Sequence, residues 1–273
     1  MSLNSLKTRT ITGIVFVAIL VSATLIHAYS FALLFGLIAC LSTLEFVKML
    51  NVKSDFSISP WISGSLSFFV YFISFLSTFE FISQKYILLT LLTLPLVMIF
   101  EMYRNTNNAI SNVLGSLFAI VYTSLPFALL CNIRNMNMSE NSAANFVLSY
   151  FFIIWIHDSG AYIIGSKFGK RRLFERISPK KSWEGLLGGV SFSMIFAYVI
   201  HSIYPFMPLP QWMLLALLIV LTANFGDLTE SMLKRNVGVK DSGNLLPGHG
   251  GLLDRFDAVL LSAPFVFVYL QLI

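Results

Sequence analysis

Charge is what this 273-residue sequence has least of: only 11% of its residues are Asp, Glu, Lys or Arg, against 56% hydrophobic. A water-soluble domain carries about a quarter charged residues, and mean hydropathy here is +0.79. The apolar residues come as blocks, not stripes, so they cannot be hidden in one aqueous core, and lipid is the solvent for most of the chain. Cysteine is scarce too. Cys40 and Cys131 both fall inside or at the edge of apolar runs, which excludes a disulfide framework and a thiolate metal site and leaves small packing residues. No internal repeat is visible, which counts against an inverted-repeat transporter. Period-2 alternation is missing as well, and with it the β-barrel. In hydrocarbon every backbone N–H and C=O has to pair within the protein, so the apolar blocks are expected to be helices.

The spans are read at 11–27, 29–47, 59–78, 86–101, 110–131, 146–165, 184–203, 211–229 and 256–272, each near the ~20 residues a bilayer requires. Residues 27–30 separate the first two only weakly, so a reading with eight spans stays open beside nine. If Lys7 and Arg9 are cytoplasmic, 16 of the 18 basic residues fall on the cytoplasmic side, and the outer loops keep only Lys85 and Arg134. That asymmetry is what insertion selects for. The expected fold is therefore all-α, a polytopic transmembrane helical protein of about nine spans, N-in and C-out. The first span is long enough to cross and lacks a small-residue cleavage site, so it reads as a retained helix, not a signal peptide. The pI of 9.2 restates the topology signal, and no nucleic-acid partner is expected.

Two regions differ in character. Residues 1–145 are apolar helices with plain loops, expected to scaffold and to make dimer or lipid contacts; Glu45, Glu80 and Glu101 lie near helix ends there and read as acids solvated at the interface. Residues 146–273 hold eight of the thirteen acids and two long polar loops on the cytoplasmic side, 166–183 and 230–255. Asp158, in FFIIWIHDSGAYIIG, sits below a helix end, where a carboxylate is costly and is either functional or paired. In SPKKSWEGLLGG, Pro179 and Ser182 break and cap the chain before a helix and Glu184 complements its dipole; the N–H groups there, with Lys180 and Lys181, suit an anion. In TANFGDLTESMLKR, Asn224, Asp227, Ser231 and Lys234 share a helix face. Asp227 lies toward a helix C-terminus, which attracts a cation, so metal ligation and simple solvation beside a Glu230–Lys234 surface pair both remain readings. In KDSGNLLPGHGGLLDRFD, Gly248, Gly250 and Gly251 around His249 let the backbone approach a ligand closely. Asp254 and Asp257 follow at i, i+3, and such a pair of oxygen ligands suits Mg²⁺.

SMLKRNVGVKDSGNLLPGHGGLLDRFD resembles the signature of the phosphatidate cytidylyltransferases: Ser, two residues, Lys-Arg, four residues, Lys-Asp, then Pro or Gly, a residue, His-Gly-Gly, and Asp-Arg-x-Asp. Every fixed position is met, and DSGAYIIGSKFGK and SPKKSWEGLLGG resemble the family's two upstream motifs. The resemblance covers 158–257; before that it rests on hydropathy and length. It implies an integral enzyme of the bacterial inner membrane whose site faces the cytoplasm. The reaction implied joins CTP and phosphatidic acid to give CDP-diacylglycerol and pyrophosphate, with Mg²⁺ required, a second monovalent cation such as K⁺, and a homodimer. On this reading Asp227, Asp254, Asp257, Lys234 and His249 are catalytic, and the three aspartates hold the metal with Asp158 in support. Substrate contacts fall to Asp158, Ser159, Lys167, Lys180, Lys181, Ser182 and Glu184, to Asn224, Ser231 and Arg235, and to Lys240, Asp241, Gly248, Gly250, Gly251 and Arg255. A transporter using Asp158 and Asp227, and a CTP-dependent polyprenol kinase, are the rival readings. A CDP-alcohol phosphotransferase would need an Asp-Gly-x-x-Ala-Arg pattern that the sequence lacks.

Overall fold

The computed structural model describes residues 3–136, 138–246, 248 and 250–273, with the side chains of 3–9 outside that description. The helices are α1 (Leu3–Ile26), α2 (Ala28–Leu50), α3 (Pro60–Thr78), a 3-10 stretch Gln84–Leu92 that continues as α4 (Thr93–Arg104), α5 (Ala109–Arg134), α6 (Glu140–Phe168), α7 (Trp183–Ile203), α8 (Leu209–Val237) and α9 (Leu253–Leu272). Each of the nine expected spans falls on one of them. Among the described residues seven helices are long and apolar enough to cross a membrane. The other two expected spans fall on α1, whose apolar part Thr10–Ile26 is shorter, and on α9, which opens with Asp254, Arg255 and Asp257. The chain is a polytopic all-α membrane protein. A short antiparallel hairpin, β1 (Arg172–Phe174) and β2 (Ser178–Ser182), stands in the basic loop, with Arg172 opposite Ser182 and an irregularity before Phe174; no alternation in that loop foretells it.

The helix ends have local causes. α1 and α2 are distinct helices with His27 alone between them. The His27 ring accepts from the Tyr29 N–H at 3.2 Å while the Ser30 hydroxyl accepts from the His27 N–H at 3.1 Å, so the amides at the start of α2 are satisfied in place. Pro60 stands in the first turn of α3, where its missing N–H costs nothing. Asn105 ends α4 in the left-handed conformation, φ 50°.

The chain falls into two compact units, one made of Met1–Ala144 with Asn236–Phe256, the other of Asn145–Arg235 with Asp257–Ile273. In the first, α2, α3 and α5 pack on one another through small and hydroxylated residues. The Thr43 hydroxyl lies 2.7 Å from that of Ser67 and 2.6 Å from that of Thr123, Ser67 meets Ser124, and the Tyr71 hydroxyl donates to the Ala32 carbonyl at 2.7 Å. Small polar contacts of this kind join helices where water exclusion provides no drive. In the second unit Trp212 is fully buried against Phe146 and Phe206, and the Tyr150 and Ser262 hydroxyls meet at 2.6 Å between α6 and α9.

Two acids of the first unit are not solvated as expected. Glu101 is only 3% exposed; it pairs with Arg104 at 2.6 Å and accepts from the Asn112 amide at 3.0 Å. Glu45 is likewise buried. Glu80 is exposed as expected, in a positive-φ turn. Arg134 is no loop residue either: it closes α5 at 1% exposure, donating to the Thr24 carbonyl at 3.1 Å and to Glu140 at 2.6 Å, while Glu140 also accepts from the Ala28 N–H at 3.0 Å. One guanidinium thus satisfies the last turn of α1 and, through Glu140, the first turn of α2. Arg134→Met should destabilise the detergent-solubilised protein by about 2 kcal/mol, the usual worth of a charge-assisted hydrogen-bond set, read as a lowered thermal midpoint. An unchanged midpoint would show that the clasp is idle.

Candidate active site

In the second unit a cleft of about 550 Å³ lies at the charged ends of α6, α7 and α8, lined among others by Asp158, Arg172, Lys180, Lys181, Asn224 and Asp227. Close helix crossings shape it. A side chain at Gly165 would come 3.3 Å from the Gly185 Cα, and one at Gly189 would strike the His157 ring, so α6 and α7 approach through glycine on both sides. Ser182 caps α7 as expected, accepting from the Gly185 N–H at 3.1 Å. Glu184 also stands in the first turn as expected, but it reaches back to the Lys170 and Arg171 amides at 3.1 and 3.2 Å. It therefore ties β1's approach to the helix start. α6 runs on to Phe168, so Asp158 stands ten residues from its end, roughly 15 Å at 1.5 Å per residue, deeper than a helix closing at Gly165 would place it.

The hairpin delivers Lys181 across the cleft. Its ammonium lies 2.6 Å from Asp227 Oδ2 and 2.9 Å from Asn224 Oδ1, one turn apart on α8. Asp158 lines the same cleft as Lys181 and Asp227. Gly226 is where α8 and α9 cross: any side chain there would collide with the Asp257 carbonyl, a backbone atom that cannot yield cheaply. Asp227 and Asp257 are neighbours for that reason, and Asp257 Oδ1 accepts its following amide, Ala258 N–H, at 2.7 Å. Among the described residues no three His, Cys, Asp or Glu side chains form a ready-made metal cage. Mg²⁺ does not require one, because it keeps water and substrate phosphate as ligands beside one or two carboxylates; the adjacent Asp227 and Asp257 fit that demand.

Lys234 and Glu230 are no surface pair. Glu230 is fully buried and its carboxylate meets the Lys234 ammonium at 2.7 Å. Ser231 donates to Asp227 Oδ1 at 3.3 Å. The Ser159 hydroxyl turns to the Trp155 carbonyl of its own helix at 2.8 Å, and Lys167 and Arg235 are exposed at the last turns of α6 and α8.

The signature loop is built within the first unit. Asp254 Oδ2 accepts from the Gly251 N–H at 2.8 Å and the Ser242 N–H at 3.0 Å, which closes the loop 242–251 on the first turn of α9. Leu246 and Gly250 pair across the turn at 3.0 Å, and Gly248 and Gly250 take φ of 76° and 83°, a backbone region that disfavours any side chain. Lys240, Asp241 and Arg255 are exposed around it. Phe256 is buried among Phe16, Phe35 and Phe127. His249 lies outside the described residues, as does Pro247.

Three groups escaped the sequence reading. Glu45 Oε2 accepts from the Leu253 N–H at 3.0 Å; its only signal is an acid inside the apolar run LSTLEFVKML. His157, 3% exposed, lines the cleft beside Asp158, and its adjacency to that acid was the available hint. Arg172 also lines the cleft, hidden among the other bases of its loop. The Gly226 crossing makes a prediction. Gly226→Ala should destabilise the protein by about 1–3 kcal/mol through overpacking, measured as a lower thermal midpoint in detergent, and a neutral result would refute the crossing.

With this geometry in place, comparison with known proteins gives a consistent answer. A model of the cytidylyltransferase family matches residues 7–273. A phosphatidate cytidylyltransferase of Bacillus subtilis is 31% identical over 274 residues, covering 98% of either chain. One from Haemophilus influenzae is 30% identical over 278 residues, 95% of this chain and 96% of its own. One from Staphylococcus saprophyticus is 39% identical over 156 residues, 56% of this chain and 57% of its own. A family match running almost end to end, with relatives at 30 and 31% identity over nearly their whole length, leaves one conclusion: the chain belongs to the cytidylyltransferase family.

Proposed function

We propose that the chain is a phosphatidate cytidylyltransferase, transferring CMP from CTP to phosphatidic acid to give CDP-diacylglycerol and pyrophosphate. The observation that carries this beyond family membership is Lys181 held between Asp227 and Asn224 in a cleft that also contains Lys180, Arg172 and Asp158. α6 and α8 are each 29 residues long, roughly 43 Å at 1.5 Å per residue. That exceeds the ~30 Å hydrocarbon core, so their charged last turns reach to the level of lipid head groups while Asp158 and Asp227, each ten residues short of its helix end, line the cleft below them. A phospholipid enters such a cleft sideways from the bilayer while a nucleotide arrives from water.

The chemistry asks little of a base. The phosphate of phosphatidic acid is a monoester already largely ionised near neutral pH. One of its oxygens bonds to the α-phosphorus of CTP as the bond from that phosphorus to the bridging oxygen of the β-phosphate breaks, and that electron pair leaves with pyrophosphate. The barrier is the approach of an anion to a polyanion, so neutralisation and alignment are the protein's task. Lys180, Lys181 and Arg172 set positive charge on the cleft wall, and Asn224 holds the Lys181 ammonium in place. Asp227 and Asp257 would hold Mg²⁺, which supplies further charge neutralisation on the triphosphate. The Ser242 and Gly251 amides are taken up by Asp254, so what the signature loop would offer a nucleotide phosphate is close backbone approach at Gly248 and Gly250, both at positive φ. A homodimer is part of this proposal and rests on the resemblance alone.

The test uses purified protein in mixed micelles with phosphatidic acid, Mg²⁺ and CTP labelled on the α-phosphate. Label moving into lipid with release of pyrophosphate is expected; label left in CDP would mean a lipid kinase, and no turnover would return the transporter reading. Asp227→Asn should cut turnover by at least about 100-fold while the protein still inserts, and near-normal activity would remove Asp227 from the site. The proposal also puts the site on the cytoplasmic face of the inner membrane, supported by the 16 of 18 bases assigned there. A Glu175→Cys variant lacking Cys40 and Cys131 should react with an impermeant maleimide in inverted vesicles and not in intact cells.

A further inference from the structure

Glu45 is an acid that neither topology nor interfacial solvation accounts for. It stands five residues inside the end of α2 at 8% exposure, and its Oε2 accepts from the Leu253 N–H, 208 residues away, at 3.0 Å. Leu253 opens α9, so this is one of the amides that the helix itself cannot satisfy. The carboxylate also occupies the space where two glycines of the signature loop have no side chain. A Cβ on Gly243 would come 2.6 Å from Glu45 Oε1, and one on Gly251 would come 2.7 Å from Oε2. Asp254 grips the same loop from the other side, through the Ser242 and Gly251 amides. The loop is thus held between two carboxylates, one from within the signature and one from a helix that carries no part of it.

We propose that Glu45 is a positioning residue for the transfer reaction. Its carboxylate, acting as a hydrogen-bond acceptor and as a wall against Gly243 and Gly251, fixes the signature loop and the first turn of α9, and so the Gly248 and Gly250 backbone that would approach the nucleotide. This rests on the cytidylyltransferase reading for its kinetic consequence but not for its structural one. A side chain that acts by accepting from Leu253 N–H is replaceable by an isosteric amide and not by a shorter acid. A side chain that acts by its charge would show the opposite order.

The experiment compares the full-length parent with Glu45→Gln, Glu45→Asp and Glu45→Ala in mixed micelles. Glu45→Gln should stay within about threefold of the parent, whereas Glu45→Asp and Glu45→Ala should lose about 100-fold in kcat/KM for CTP, the scale of an ångström-level misplacement. The KM for phosphatidic acid should not move, since Gly243, Gly251 and Leu253, the residues that Glu45 holds, are not among those lining the cleft the lipid would enter. Amide hydrogen exchange across 240–254 should be faster in the Asp and Ala variants than in the parent and in Glu45→Gln. Unchanged exchange, an active Asp variant beside an inactive Gln variant, or an equal fall in all three with loss of folded protein would each overturn the proposal. If the parent itself turns over no CTP, the proposed function fails, and the exchange comparison still decides whether Glu45 holds the loop.

Discussion

A carboxylate shielded from water keeps its charge only against a cation or a set of N–H donors, because the low-dielectric interior returns nothing for the lost hydration. Most of the polar architecture follows from how that demand is met. Glu101 is answered by Arg104 and Asn112, Glu230 by Lys234 and Asp254 by the Ser242 and Gly251 amides. Asp227 is answered by Lys181 from the hairpin, and this pair differs from the others. It opens on a cleft, with the lysine one-quarter exposed and Asp227 more so. The same electrostatic requirement thus produces closed clasps in most places and, in one, an open pair where the proposed function puts the substrates.

The helices were legible because block length and turn residues decide them almost alone. His27, Pro60 and Ser182 act at the ends that local chemistry implies. The hairpin was not legible: strands of three and five residues in a loop crowded with bases carry no period of their own. Within the site, the identity of the aspartates and lysines could be read from chain spacing, but their pairing could not. Lys181 and Asn224 are 43 residues apart and Glu45 and Leu253 are 208 apart, and nothing local encodes such a meeting. Glu45 and Glu101 were misread for the same reason. An acid near a helix end looks solvated until a distant segment is seen to cover it.

The division of labour between the two units is also clearer in three dimensions. The first region, 1–145, looked like scaffold. In the structure its unit includes 236–256, most of the signature loop, and supplies Glu45 to that loop together with the aromatic seat for Phe256. The early helices therefore shape a functional segment directly, through contacts that apolar composition conceals.

The buried hydroxyls of α2 and α5 bear on how the chain is made. Thr43 and Thr123 each donate to a carbonyl of their own helix, Ala39 and Ala119, both at 2.8 Å, as well as meeting across the interface. A helix leaving the translocation machinery alone would then carry neither of these two hydroxyls into the lipid as an orphan donor. The hydroxyls that later join the helices cost little while the partners are still unborn, so synthesis can proceed one span at a time and assembly can wait.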